Sequence, residues 1–240
     1  MASHVAFVCA MPMELAPIRQ RLSLTSTPIG TLKAYSGALE QTPVVAIVTG
    51  MGPELATAGM RQLLDAVEVE RVVVVGITGA IRDETAIGTL IRPETVVNGA
   101  TRAEFRPDPL GPGTSNGVMW TTDELITGED DLAGLRELGV VSLDMETAAI
   151  GEVCLERGIP WSVFRVISDR ADDGSVDDEV FHLSNQDGTP NPKAIAAYFL
   201  RHPGRIPLMA RMGREVKVAT RRAADAAIDA VASSASSPRG

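Results

Sequence analysis

At residues 142–150 the chain reads SLDMETAAI, with two carboxylates, Asp144 and Glu146, on either side of Met145 where an alanine-rich helix is expected to begin. Carboxylates at a helix start have two uses. They complement the free N–H groups and the positive end of the helix dipole, or they present fixed acid, base and acceptor groups to a ligand. More polar residues follow apolar runs elsewhere: Glu14 after the first, Gly50 and Gly52 after the second, Gly76 and Gly79 around the end of the third, Ser168 and Asp169 after the last. In open parallel sheets, ligands gather beyond the carboxyl ends of the strands. Such residues would form a rim of carboxylates with glycines that admit close approach, and Arg165 is the basic group beside them.

Each feature also has a plainer account. Asp169 opens the acidic stretch DRADD, which suits a solvated turn, and Glu14 near a helix start could serve only the dipole. Gly50-Met-Gly52 followed by Ala56 looks like a dinucleotide-binding turn, which would make the chain an oxidoreductase. It follows the second strand rather than the first, and no acidic residue ends the next strand to hold a ribose. His4, His182 and His202 stand far apart, which argues against a histidine metal cluster or a Ser/His/Asp triad.

Strands must carry this rim. Apolar, β-branched runs recur at 4–9, 44–49, 71–77, 89–97, 118–121 and 161–167, with helical stretches at roughly 13–22, 53–65, 145–158, 193–201 and 207–231. A further strand at 139–143 would bring Asp144 and Glu146 to the same edge. Pro53 suits a first helical position, and Gly158-Ile-Pro160 ends the helix that follows Glu146. Segments 98–117 and about 170–192 read as loops. The expectation is one α/β domain over 1–232, a twisted, mixed, mostly parallel sheet flanked by helices, with a disordered tail at 233–240.

At 240 residues and 45% hydrophobic, the chain can bury a sizeable core. Glu14 and Arg19 interrupt the early apolar run, so neither a signal peptide nor a membrane span is expected. Cys9 and Cys154 sit in apolar surroundings without metal-like spacing and read as reduced core thiols of a cytoplasmic protein. Net charge is -9, yet 201–222 holds seven basic residues against Glu215 alone, leaving about -15 on the rest. No aromatic residues interleave with these charges to stack on bases, so they read as a solvated helix face and not as a nucleic-acid site.

Four segments taken together, AMPMEL at 10–15, TGMGPELA at 49–56 with GITGAI at 76–81, SLDMETAAI at 142–150 and FRVISD at 164–169, resemble the nucleoside phosphorylase and nucleosidase superfamily. Within it the chain looks most like the methylthioadenosine/S-adenosylhomocysteine nucleosidases. The resemblance implies that Met145 packs against a ribose while Glu146 accepts hydrogen bonds from its hydroxyls. A carboxylate with two acceptor oxygens suits a vicinal diol. It implies that Asp169, beside Ser168, protonates the purine as it leaves. It also implies that Glu14 deprotonates the attacking water and that Arg165 positions Glu14. Asp144, at a position commonly Glu in these enzymes, is expected to support the others. A homodimer or larger homo-oligomer is implied as well, and the chemistry calls for neither cofactor nor metal.

Three positions depart from that pattern. Ile77 stands where many relatives have a serine, and Leu125, in the purine-binding stretch TTDELI, stands where an aromatic residue stacks on adenine. The Ile126 backbone is expected to meet the base edge and Gly79 to line the site. The loop 98–117 is shorter than in the nucleosidases, and the extended C-terminus is closer to broader phosphorylase-like relatives, which leaves the 5′ substituent open. The reading is N-ribosidic cleavage of an adenine-type purine nucleoside by water. Its alternatives are phosphorolysis and a non-catalytic nucleoside-binding module.

Overall fold

The computed structural model describes residues 3–82, 84–126, 128–170, 178–181, 183–185 and 187–235. In chain order the elements are β1 (His4–Cys9), α1 (Pro12–Arg21), β2 (Thr25–Ser26), β3 (Lys33–Leu39), β4 (Thr42–Val48), α2 (Pro53–Ala66), β5 (Val69–Ala80), β6 (Leu90–Ile91), β7 (Thr95–Asn98), β8 (Glu104–Phe105), β9 (Val118–Thr121), α3 (Glu129–Glu137), β10 (Val140–Asp144), α4 (Thr147–Arg157), β11 (Trp161–Arg170), α5 (Asp178–Phe181), α6 (Pro192–Arg201) and α7 (Ile206–Ala235). A 3-10 turn, Pro203–Arg205, joins the last two helices.

The strands form one mixed sheet in the order β2-β3-β4-β1-β5-β10-β9-β7-β8, with β11 on the free edge of β5 and β6 on β11. The long ladders of β1 with β4 and of β5 with β1 and β11 are parallel, and β3 with β4 is the one long antiparallel pair. Strands β1, β4 and β5 read as continuous apolar runs because both of their faces are covered. Along β1, Ala6 and Val8 enter one core with Ala56, Met60 and Leu63 of α2 and Ala148, Ile150 and Val153 of α4. Val5, Phe7 and Cys9 enter the opposite core with Leu15 and Ile18 of α1 and Ile228 and Val231 of α7. The alanines at 219, 223, 224, 227 and 230 of α7 are all buried, and their small side chains let the helix lie close to the sheet. Burying an Ile, Leu or Met side chain of this kind contributes about 1.5–3 kcal/mol.

The long strand β5 decides where a site can form. It pairs with β1 only as far as Val74. On the edge that β1 vacates, β10 joins antiparallel at Gly79 and Ala80, while β11 follows the other edge through to Ala80. The sheet therefore branches, and the segment from Gly76 to Gly79 lies at the fork.

Several elements differ from the sequence expectation. The run at 89–97 is two strands, because Pro93 cannot donate to a ladder and Arg92 turns inward, giving its guanidinium to the carbonyls of Leu110 and Pro112. The hairpin of β3 and β4 and the helix α3 were not expected from pattern. The helix after Glu146 starts at Thr147. Loop 98–117 contains β8 and buries Phe105 and Leu110. In the loop expected near 170–192, the described residues include α5. Residues 171–177, 182 and 186 lie outside the described residues, as do 236–240, while α7 runs to Ala235, into the stretch expected as tail. Cys9 and Cys154 are free and buried. Among the described residues, no helix is long and apolar enough to cross a membrane.

Candidate active site

Leaving β1, the chain passes Ala10 and Met11 and turns at once into α1. Glu14 folds back over that helix start, and its Oε2 accepts the backbone N–H groups of Ala10 and Met11, both at 2.9 Å. Its Oε1 accepts the N–H of Ile77 at 2.9 Å and lies 3.5 Å from Nη1 of Arg165. Glu14 thus does cap its helix, and it also ties that helix to the fork of β5. Burial raises its pKa, outweighing the opposite effects of Arg165 and the backbone N–H groups.

This approach requires glycine at position 76. A Cβ there would stand 2.2 Å from Oε1 of Glu14 and 2.6 Å from Nη1 of Arg165. The branched side chains of Val72–Val75 fill the cores on the two faces of the sheet; Gly76 begins the part of β5 where functional groups replace packing.

Across the fork, β10 ends at Asp144. Its Oδ1 accepts the Thr121 hydroxyl of β9 at 2.6 Å, and its Oδ2 accepts the Thr147 N–H at 2.9 Å and the Thr147 hydroxyl. Asp144, not Glu146, satisfies the start of α4. Glu146 is thereby free to reach across to α2, where its Oε1 accepts the N–H of Gly52 at 2.9 Å. Gly52, at φ 94°, presents that N–H from a left-handed turn. The glycine turn that looked like a dinucleotide cradle is thus occupied by an internal carboxylate.

Arg165 links the walls. Its Nη2 lies 2.7 Å from Oδ2 of Asp144 and 3.3 Å from Oε2 of Glu146, and its Nη1 donates to the Ile77 carbonyl at 3.0 Å. Burial works against this cation, but Asp144, Glu14 and Glu146 outweigh it and hold its pKa above the ordinary value. Burial pushes the Glu146 carboxyl up to about 7, with Arg165 opposing the rise and the Asp144 charge adding to it.

The register of β11 against β5 slips between Ile167 and Asp169, a bulge that brings Asp169 opposite Gly79. A Cβ on Gly79 would stand 3.3 Å from Oδ2 of Asp169. The Ser168 hydroxyl donates to Oδ1 of Asp169 at 2.5 Å.

These residues enclose a cavity of about 260 Å³ whose walls are mostly apolar. Glu14, Ile77, Gly79, Leu125, Met145, Glu146, Arg165, Ser168 and Asp169 all line it, so the structure brings together every expected site residue but one. The Ile126 side chain instead packs against the cluster that holds Trp120 and Leu132 and lines a neighbouring cavity, which Leu125 also borders. Arg19 on α1 does not line the cavity; its guanidinium lies 5.3 Å from the centre of the Tyr35 ring. Sequence reasoning missed the lining residues Val180, Ser184, Met212 and Val216. The i, i+4 spacing of Met212 and Val216 on α7 was a usable signal; nothing marked Val180 or Ser184. Thr121 and Thr147 were also missed, although both lie in quoted segments. Among the described residues no group of His, Cys, Asp and Glu could hold a metal ion.

The chain belongs to the phosphorylase superfamily, whose model matches residues 4–115 and 108–201. It is 24% identical over 220 residues to a 5′-methylthioadenosine/S-adenosylhomocysteine nucleosidase of Haemophilus ducreyi, a match covering 79% of this chain and 92% of that relative. Among solved structures it is similar to the 5′-methylthioadenosine/S-adenosylhomocysteine nucleosidase of Neisseria meningitidis in complex with methylthio-immucillin-A, with TM-score 0.73, 18% identity and coverage of 96% and 99% of the two chains. The futalosine hydrolase of Helicobacter pylori also matches, with TM-score 0.73, 15% identity and coverage of 97% and 99%.

Proposed function

We propose that this protein is a nucleosidase that cleaves the N-ribosidic bond of an adenine-type purine nucleoside with water, releasing the free base. The observation that carries the reading is the placement of three carboxylates, Glu14, Glu146 and Asp169, around one cavity that also holds Met145 and Arg165. Glu146 accepts hydrogen bonds from the ribose hydroxyls, and Met145 packs against the sugar. As the bond from C1′ to the purine breaks, its electron pair passes to the base and Asp169, aligned by Ser168, delivers a proton to the imidazole side of the ring. Glu14 takes a proton from the water whose oxygen bonds to C1′. Its raised pKa suits a base that must accept that proton near neutral pH. Arg165 holds Glu14 and Glu146 in place, and Leu125 gives the base an apolar contact.

Water is favoured over phosphate by the state of the cavity's cation. Arg165 is already committed to Asp144, Glu146, Glu14, Thr147 and the Ile77 carbonyl. A phosphate dianion would meet carboxylates where it needs donors. Product analysis in phosphate-free buffer and then in millimolar phosphate tests this: free ribose sugar is expected in both. A phosphate requirement with a ribose 1-phosphate product would establish phosphorolysis, and no base release from any purine nucleoside would leave a binding module.

The working form is read as a homo-oligomer, supported by exposed Leu55 and Leu155 on α2 and α4, the two helices that also line a groove in which Ala58 and Ala149 stand among Glu54, Arg61 and Glu152. Sedimentation at micromolar concentration checks it. Buried free Cys9 and Cys154 support residence in the reducing cytoplasm.

A further inference from the structure

The cluster at the fork holds one cation and three carboxylates in contact with it, all buried. Their donors are unequally shared. Asp144 takes the Thr121 and Thr147 hydroxyls, the Thr147 N–H and the shortest contact with Arg165. Glu14 takes three backbone N–H groups. Glu146 has the Gly52 N–H and a 3.3 Å contact with a guanidinium nitrogen that lies 2.7 Å from Asp144. Facing Glu146 are Asp144 at the end of β10, Arg165 on β11, Glu14 on α1 and the N–H that starts α2, with Asp169 on the same cavity.

We propose that Asp144 is a positioning residue that takes the shorter contact with the Arg165 guanidinium and so weakens its hold on Glu146, making Glu146 the carboxylate that exchanges a proton when a ribose diol binds. The inference rests on the assignment of Glu146 to the sugar hydroxyls. Three buried carboxylates around a single cation carry an excess of negative charge that burial disfavours, and the group with the fewest protein donors is the one that takes up a proton. Burial and the Asp144 charge put Glu146 at about 7, in keeping with that order. A vicinal diol supplies two O–H donors, which favour the ionised form. On binding, the Glu146 proton passes to solvent and its two oxygens accept the hydroxyls. Thr121 and Thr147 matter because their hydroxyls fix the Asp144 carboxylate on the arginine side.

The test is a 13C NMR titration of the Glu146 carboxyl carbon in the ligand-free protein, paired with pH profiles of KM for an adenine riboside. In the unmodified protein the carboxyl midpoint is expected near neutrality, with KM falling about ten-fold between pH 6 and pH 8. Asp144→Asn removes the competing charge and releases Arg165, so both the midpoint and the KM limb should move toward acid by at least about one pH unit. Asp144→Glu, which restores the charge, should return both. A structural role alone would lower turnover at every pH and leave the midpoint in place, and that result overturns the proposal. Should Asp144→Asn not fold, a midpoint below pH 5 in the unmodified protein overturns it as well. The titration does not depend on turnover: the expected shifts without base release would sink the nucleosidase reading alone, whereas base release with an unshifted Glu146 would sink the Asp144 assignment alone.

Discussion

Gly76 and Glu14 occupy one another's space: a single carbon added to Gly76 would fall 2.2 Å from the carboxylate oxygen that Glu14 holds against β5. Both groups are fixed by backbone, so neither can yield cheaply. Gly76→Ala is expected to destabilise the fold by about 1–3 kcal/mol, the usual cost of overpacking, and to abolish base release by displacing Glu14. Gly79→Ala, whose Cβ would meet Asp169 at 3.3 Å, should cost less of both. Thermal melts and turnover of the two variants give the comparison; equal effects would mean that the tight contact at Gly76 carries no special role.

Asp169→Asn keeps the shape of the side chain and the partner for Ser168, but it cannot deliver a proton. Turnover of an adenine nucleoside should fall by roughly 10²–10⁴-fold with the melting temperature nearly unchanged. A nucleoside whose leaving group needs no protonation should lose far less. Near-normal turnover with adenine would remove Asp169 as the acid.

Glu146→Gln separates stability from function. In the unfolded chain Glu146 ionises near its ordinary 4.5, in the native state at about 7. Between those values the native state binds the extra proton, so this group's contribution is fully present below 4.5, is lost as pH rises, and levels off above 7. Gln cannot ionise. The variant should therefore be more stable than the parent at pH 8, by on the order of 3 kcal/mol, and equal to it near pH 4. At the same time it should impair ribosides much more than 2′,3′-dideoxy analogues, which offer no hydroxyl donors. Equal losses on both substrates would return Glu146 to a purely structural part.

The two thiols should be silent. Burial pushes Cys9 well above its ordinary value and Cys154 up to about 12. Alkylation by iodoacetamide at pH 8 should modify neither in the native protein and both in denaturant, with mass spectrometry as the readout; rapid native labelling of Cys9 would mean that the cavity floor beneath Glu14 opens.

Much of this site was legible because its polar residues end apolar runs, where a parallel sheet must deliver them. Glu14 and Glu146 each follow a strand and Asp169 stands near the end of one, and the strands were visible as Val- and Ile-rich stretches. What the pattern did not reveal was the division of labour at SLDMETAAI. Asp144 and Glu146 have the same chemistry in one dimension. Only the arrival of Thr121 from β9 and Gly52 from α2 makes one a helix cap and the other a group aimed at the cavity. Which way the side chains of Leu125 and Ile126 face was not legible either, because no periodicity runs through the segment after β9. Val180 and Ser184, which also line the cavity, lie in a polar stretch without periodicity.

The fork at β5 has a consequence for motion. β10 is stitched to β5 by two residue pairs, Ser142 with Ala80 and Leu143 with Gly79, whereas β11 is stitched to the same strand along nine. The seam between the two halves of the sheet is thus as thin as the short ladders at the sheet's margins, and Glu146 sits on one side of it while Glu14 and Asp169 sit on the other. Subglobal opening of a native protein follows its thinnest ladders. Amides of β9 and β10 should therefore exchange with deuterium well before those of β1, β5 and β11, and a nucleoside analogue that bridges Glu146 and Asp169 should slow that exchange by acting as a clasp across the seam.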